Sequence, residues 1–158
     1  MIQRIQTLFL LASGLVLILF VFSPVWSFTK DITGDSAVLT AMVLTMKNKS
    51  GGIVFEENTV YLAALSLFSA LVSLFSIFKF RQRTLQYKLG LFNLLLISVL
   101  VGLSVFDISK GQHLLGIEEA GDFHIAFFLP LMALVCTLFA NRFIRKDDKL
   151  VRSMDRLR

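Results

Sequence analysis

Thiol chemistry has almost no material in this sequence: of 158 residues, one is a cysteine, Cys136. A lone thiol forms no internal disulfide, no paired redox relay and no multi-cysteine zinc site. Histidine is nearly as scarce, and both copies, His113 and His124, fall to one side of the apolar segments. That placement argues against a bis-histidine haem held across a helical bundle. Charged residues are 17% of the chain, against roughly 25% in an ordinary soluble domain. No Walker motif occurs and no Ser/His/Asp set assembles from the available residues. These shortages argue against a soluble globular enzyme, a disordered chain or a disulfide scaffold.

What is present is apolar. Apolar residues make up 56% of the chain, mean hydropathy is +0.75, and sixteen residues are Phe. Four apolar runs stand out: 8–28, 59–78, 89–106 and 123–143. Each is long enough, at about 20 residues, to cross the hydrocarbon core of a bilayer. The first is read as a retained span, because it is longer than a signal-peptide core and ends in Phe22-Ser-Pro-Val-Trp-Ser-Phe28 instead of small residues. Trp26 suits the interfacial end of that span. The fourth run carries Pro130 near its middle, which removes one backbone donor and is tolerated where neighbours cover the freed carbonyl.

Lys and Arg divide unevenly between the two sides these spans would create. Twelve fall with the termini and the 79–88 connection, and four fall on the other side, at Lys30, Lys47, Lys49 and Lys110. Acids divide three against eight. Basic residues beside span ends mark the cytoplasmic face, so both termini are expected there and loops 29–58 and 107–122 outside. The net charge of +5 is thereby assigned to membrane flanks, and no nucleic acid partner is expected.

Lipid gives helices no hydrophobic reason to associate, so small and polar residues at three- and four-residue steps mark packing faces. Ser66, Ala70 and Ser73 form one such stripe, Ser98 and Gly102 with the polar Asn93 a second, and Ala126, Pro130 and Ala133 a third. Asn93 is expected to make an interhelical hydrogen bond. In loop 29–58, residues 35–46 read as a strand, Lys47–Gly52 as a turn, and Ile53–Glu57 as a returning strand. His113, Glu118, Glu119, Asp122 and His124 lack ligand spacing and read as part of a solvated acidic loop, so no metal and no cofactor are expected.

Beyond residue 143 the chain turns basic and amphipathic. Leu150, Met154 and Leu157 fall on one helical face, with Arg142, Arg145, Lys146, Lys149, Arg152, Arg156 and Arg158 around it. Such a helix meets either anionic lipid or a partner protein. The expected fold is therefore all-α: a four-helix transmembrane bundle (1–143) with a small extracytoplasmic β-hairpin, followed by a cytoplasmic tail (144–158).

The opening Met1–Thr7, the Phe22–Trp26 end of the first run and the closing Arg145–Arg158 segment resemble a Bacteroidota family of small four-span integral membrane proteins of unknown function. The resemblance implies a bacterial inner-membrane location and supplies no catalytic residue. The expected role is a non-enzymatic accessory subunit of a larger inner-membrane complex, of the export, envelope-biogenesis or respiratory class. Its partners would be membrane lipid and other integral subunits. The alternative is a protein that binds a small molecule, lipid or quinone, as a transporter component or otherwise.

Overall fold

A computed structural model describes residues 2–30, 34–80, 82–116 and 121–155. It holds four long helices: α1 (Ile2–Phe22), α2 (Val60–Phe78), α3 (Arg83–Leu115) and α4 (Ile125–Asp155). All four are long and apolar enough to cross a membrane. Helix α1 packs on α2 and α4, and α3 packs on the same two, so α1 and α3 occupy opposite corners of a square bundle.

The bundle is apolar on the outside. The buried face of α2 is Leu62, Ala63, Ser66, Ser69, Ala70, Ser73 and Ser76. Its outward face carries Leu67, Phe68, Leu71, Phe75 and Phe78, and Phe78 is 77% exposed. Helix α4 repeats the arrangement, burying Ala126, Pro130, Ala133, Thr137 and Ala140 while exposing Phe128, Met132, Val135 and Phe139. A water-soluble monomer rarely shows a continuous apolar surface beyond a few hundred Å². Small residues inward and large apolar residues outward are the distribution that a hydrocarbon solvent favours, because close backbone approach holds the helices together there.

One end of the bundle is roofed by a five-stranded antiparallel sheet, in the order β4-β3-β2-β1-β5. The strands are β1 (Trp26–Thr29), β2 (Ser36–Leu39), β3 (Val43–Lys47), β4 (Ile53–Asn58) and β5 (Asp122–Phe123). Side chains alternate across a strand. Trp26 and Phe28 of β1, Ala37 and Leu39 of β2, and Leu44 and Met46 of β3 accordingly point into one core shared with Phe20, Leu62 and Ile108.

The sheet replaces the expected hairpin. The segment read as one strand over 35–46 breaks at Thr40–Val43, where the Thr40 amide donates to the Val43 carbonyl at 2.9 Å and the Val43 amide donates to Thr40 Oγ1 at 3.0 Å. The turn at 47–52 forms, with Gly51 at φ 78°, and Ile53–Asn58 returns as expected. Two strands come from segments assigned otherwise. Helix α1 stops at Phe22 instead of reaching 28, and the chain beyond Pro24 becomes β1. Residues 122–123 pair with β1 as β5.

Helix α3 is also longer than the 89–106 span, running 33 residues, or about 50 Å. Most of the expected 107–122 loop is therefore helical. The helix ends where Gly116 adopts a left-handed conformation at φ 59° and its amide donates to the Gln112 and His113 carbonyls. Helix α4 continues without a break through residue 143 to Asp155, so the basic segment prolongs the fourth helix.

Candidate functional site

A chain of polar side chains crosses the interior of the bundle. Ser69 donates to Asn93 Oδ1 at 2.6 Å, and Asn93 Nδ2 donates to Ser73 Oγ at 2.8 Å. Ser73 Oγ lies 3.5 Å from Ser13 Oγ, which lies 2.9 Å from Thr137 Oγ1. Thr137 in turn donates to the Ala133 carbonyl at 2.8 Å. Each hydroxyl has one proton, and a single direction of donation satisfies every link: Ser73 to Ser13, Ser13 to Thr137, Thr137 to Ala133. The chain ties all four helices together, and Ser66 adds a 2.7 Å bond to the Leu17 carbonyl.

Most of the expected packing residues sit in this interior. Ser66, Ala70, Ser73, Asn93, Ala126, Pro130 and Ala133 are all buried. Ser98 and Gly102 are not among them, and this corrects the expectation for the third helix. Ser98 is exposed and bonds back to the Leu94 carbonyl at 2.9 Å, while a Cβ on Gly102 would meet nothing within 4 Å. The inward face of α3 instead runs through Gln86, Gly90, Asn93, Ile97, Leu100 and Ser104. That phase points Ser98 and Gly102 away from the bundle.

Near the sheet end, two side-chain pairs fasten α3. Tyr61 Oη donates to the Asp107 carboxylate, 2.5 Å from Oδ1 and 2.6 Å from Oδ2. Lys110 Nζ lies 2.5 Å from Glu57 Oε1, joining α3 to β4. Neither pair follows from the apolar pattern of the sequence. The signal available was Asp107 and Lys110 at a three-residue step, which places both on one helical face. His113 is exposed, and His124 Nε2 lies 2.8 Å from Ser27 Oγ. No group of three or more metal-ligating side chains converges among the described residues. Glu118 and Glu119 lie outside them.

At the other end, α3 and α4 flank a cavity of about 540 Å³ lined by Tyr87, Leu91, Leu94, Leu138, Asn141, Arg142, Arg145 and Lys146. Three of the expected tail contacts, Arg142, Arg145 and Lys146, thus share one wall. The Arg145 guanidinium lies over the Tyr87 ring, 5.4 Å from its centre. Arg83, one turn before Tyr87 on α3, lies 3.2 Å from Asp147 Oδ2 and donates to the Asp147 carbonyl oxygen at 3.0 Å. Leu150 is exposed. The side chains of Lys149, Arg152 and Met154, and all of Arg156, Leu157 and Arg158, lie outside the described residues.

Asn141 is the residue on that wall which sequence reasoning missed. It is 5% exposed, and neither its Oδ1 nor its Nδ2 has a hydrogen-bond partner among the described residues. The amide presses on Gly90, where a Cβ would stand 2.7 Å from Asn141 Cγ. Glycine at 90 is what admits an asparagine at 141. The sequence carried this only as two polar or small positions on separate helices, with nothing to show that they meet.

No curated protein matches this sequence significantly. A family model described as a domain of unknown function, DUF4293, matches residues 2–157. With nearly its whole length matched, the chain belongs to the DUF4293 family.

Proposed function

We propose that this protein is a non-enzymatic accessory subunit of a bacterial inner-membrane assembly, joined to its partner through the free edge of β4. The twelve-to-four division of Lys and Arg supports an orientation with both termini in the cytoplasm and the sheet outside. The observation that carries the docking reading is β4 itself. It is an edge strand, with Ile53 60% and Val54 70% exposed although the two alternate in side-chain direction. Native sheets blunt such edges with charge, proline or cover, because unpaired N–H and C=O groups beside apolar side chains recruit another strand. Here the edge carries apolar residues over its first three positions, and an extended segment of a partner protein would complete the sheet.

A photo-crosslinking residue at Val54, and then at Glu56, tests this in living cells, with the adduct digested and the partner peptide mapped. The expected result is one partner segment, with the linked position moving by about two residues between probes, as strand pairing requires. Adducts to lipid alone would overturn the reading, as would adducts to a second copy of this chain.

A further inference from the structure

We infer that the α3–α4 cavity is a binding site for the phosphate group of an anionic phospholipid. The argument is independent of the β4 edge. Asn141 has both amide atoms buried without partners among the described residues, and such a group is costly to leave unmatched. The wall that holds it also carries Arg142, Arg145 and Lys146, none of which makes an ion pair among the described residues. The neighbouring acid Asp147 is held by Arg83. Tyr87 holds Arg145 by its ring face and itself lines the cavity.

The shape of the lining selects among anions. Arg142, Arg145 and Lys146 cluster one to two turns beyond Leu138 along α4, and on α3 Leu91 and Leu94 follow one to two turns after Tyr87. Both helices therefore run from polar to apolar in the same direction, from the bundle end towards its middle. A guanidinium pair matches phosphate oxygens in bidentate geometry, and the leucines match an acyl chain. A phospholipid is the occupant that satisfies both halves. A soluble phosphate would use only the first, and an uncharged lipid only the second. A cavity of about 540 Å³ admits a glycerophosphate headgroup with the start of its chains.

Native mass spectrometry of the full chain, released from detergent supplemented with defined lipids, tests the site. The probes are phosphatidylglycerol, phosphatidylcholine and inorganic phosphate. Phosphatidylglycerol is expected to remain bound at one molecule per chain, at least tenfold more tightly than phosphatidylcholine, with millimolar inorganic phosphate failing to displace it. Asn141→Asp keeps the side-chain size and adds a negative charge to the wall that carries the three cations. It is expected to weaken retention tenfold or more, as is Arg142→Gln combined with Arg145→Gln. Lys79→Gln with Lys88→Gln removes two cations that do not line the cavity and is expected to leave retention unchanged.

Equal retention in all of these variants would overturn the site, since the attraction would then belong to overall charge. Equal binding of the two lipids would also overturn it, and so would displacement by inorganic phosphate. Unfolding of each variant is followed in parallel through Trp26 fluorescence. If Asn141→Asp lowers the melting temperature, the Arg142/Arg145 pair decides alone, because both residues are exposed in the fold.

Discussion

Gly90 and Asn141 face each other across the α3–α4 contact with no room for a methyl group between them: a Cβ on Gly90 would lie 2.7 Å from Asn141 Cγ. Gly90→Ala therefore forces the amide out of its place or the helices apart. Overpacking of this kind costs about 1–3 kcal/mol. Asn141→Ala removes the obstruction, so the double variant is expected to be more stable than the sum of the two single losses implies. A double-mutant cycle on detergent-solubilised protein, read by thermal unfolding, checks the sign of that coupling. Strict additivity would show that the two residues do not meet.

The polar chain through the interior predicts a graded response. Asn93→Leu removes both the acceptor for Ser69 and the donor to Ser73, and leaves two buried hydroxyls to find new partners. Interhelical hydrogen bonds in membranes average about 0.6 kcal/mol each, so a loss of about 1–2 kcal/mol is expected once the orphaned serines are included. Ser98→Ala, on the same helix but facing outward, is expected to change stability by less than about 0.5 kcal/mol. Comparing the two unfolding midpoints separates the inward from the outward phase of α3.

Much of this architecture was legible from hydropathy, because four apolar runs of span length do not need tertiary information to be seen. Hydropathy also misplaced boundaries, for identifiable reasons. Trp26 and Phe28 are apolar enough to extend the first run, yet they alternate with Ser27 and Thr29 just after Pro24, and that period-two pattern is a strand signal. Asp107, Lys110 and His113 end the third apolar run without ending its helix, because the end of an apolar run does not require the end of helical geometry. Ser98 and Gly102 were spaced for packing, but spacing alone gives no phase: Ile97 and Leu100 hold the inward positions instead. The α3–α4 cavity was half legible. Its cations stood out as a cluster, while Asn141 and Tyr87 join it only through the crossing of two helices.

Trp26 offers a direct reading of the sheet's attachment. It is the only tryptophan in the chain, it is fully buried, and Gly111 and Gly121 both back onto it. A Cβ on Gly121 would stand 2.6 Å from Trp26 Nε1, and Gly121 has φ 68°, where side chains are disfavoured. Gly121→Ala is therefore expected to be destabilising on two grounds, clash and backbone strain, by about 1–3 kcal/mol. It should also shift the tryptophan emission to longer wavelength in the folded state, as the indole is pushed from its site. Gly52→Ala, a substitution in the exposed 47–52 turn at a residue with no positive φ, should leave the emission unchanged.

The Tyr61–Asp107 pair makes an asymmetric prediction. Tyr61→Phe leaves Asp107, 3% exposed, without the hydroxyl that serves both of its oxygens. Asp107→Asn removes the charge but keeps an oxygen able to accept from Tyr61. Leaving a buried polar group unmatched costs about 1–3 kcal/mol and more when it is charged, so the phenylalanine variant should be the less stable of the two. Equal melting temperatures for the two would show that solvent reaches the Asp107 carboxylate.

The orientation proposed from the charge division can be tested without any reference to partners. Lys49 sits in the exposed turn of the sheet and Gln82 in the exposed α2–α3 connection, at opposite ends of the bundle. Cys136 is the chain's one native thiol, so Cys136→Ser gives a background with none. In that background, Lys49→Cys is expected to react with a membrane-impermeant maleimide in spheroplasts, and Gln82→Cys only after lysis. Moving a charged segment across hydrocarbon is opposed at each basic residue, and the 79–88 connection carries four of them where the 47–52 turn carries two. Reaction of Gln82→Cys before lysis would reverse the assignment. It would place the cationic α3–α4 wall in the outer leaflet and the β4 edge in the cytoplasm, where a different set of partner proteins could meet it.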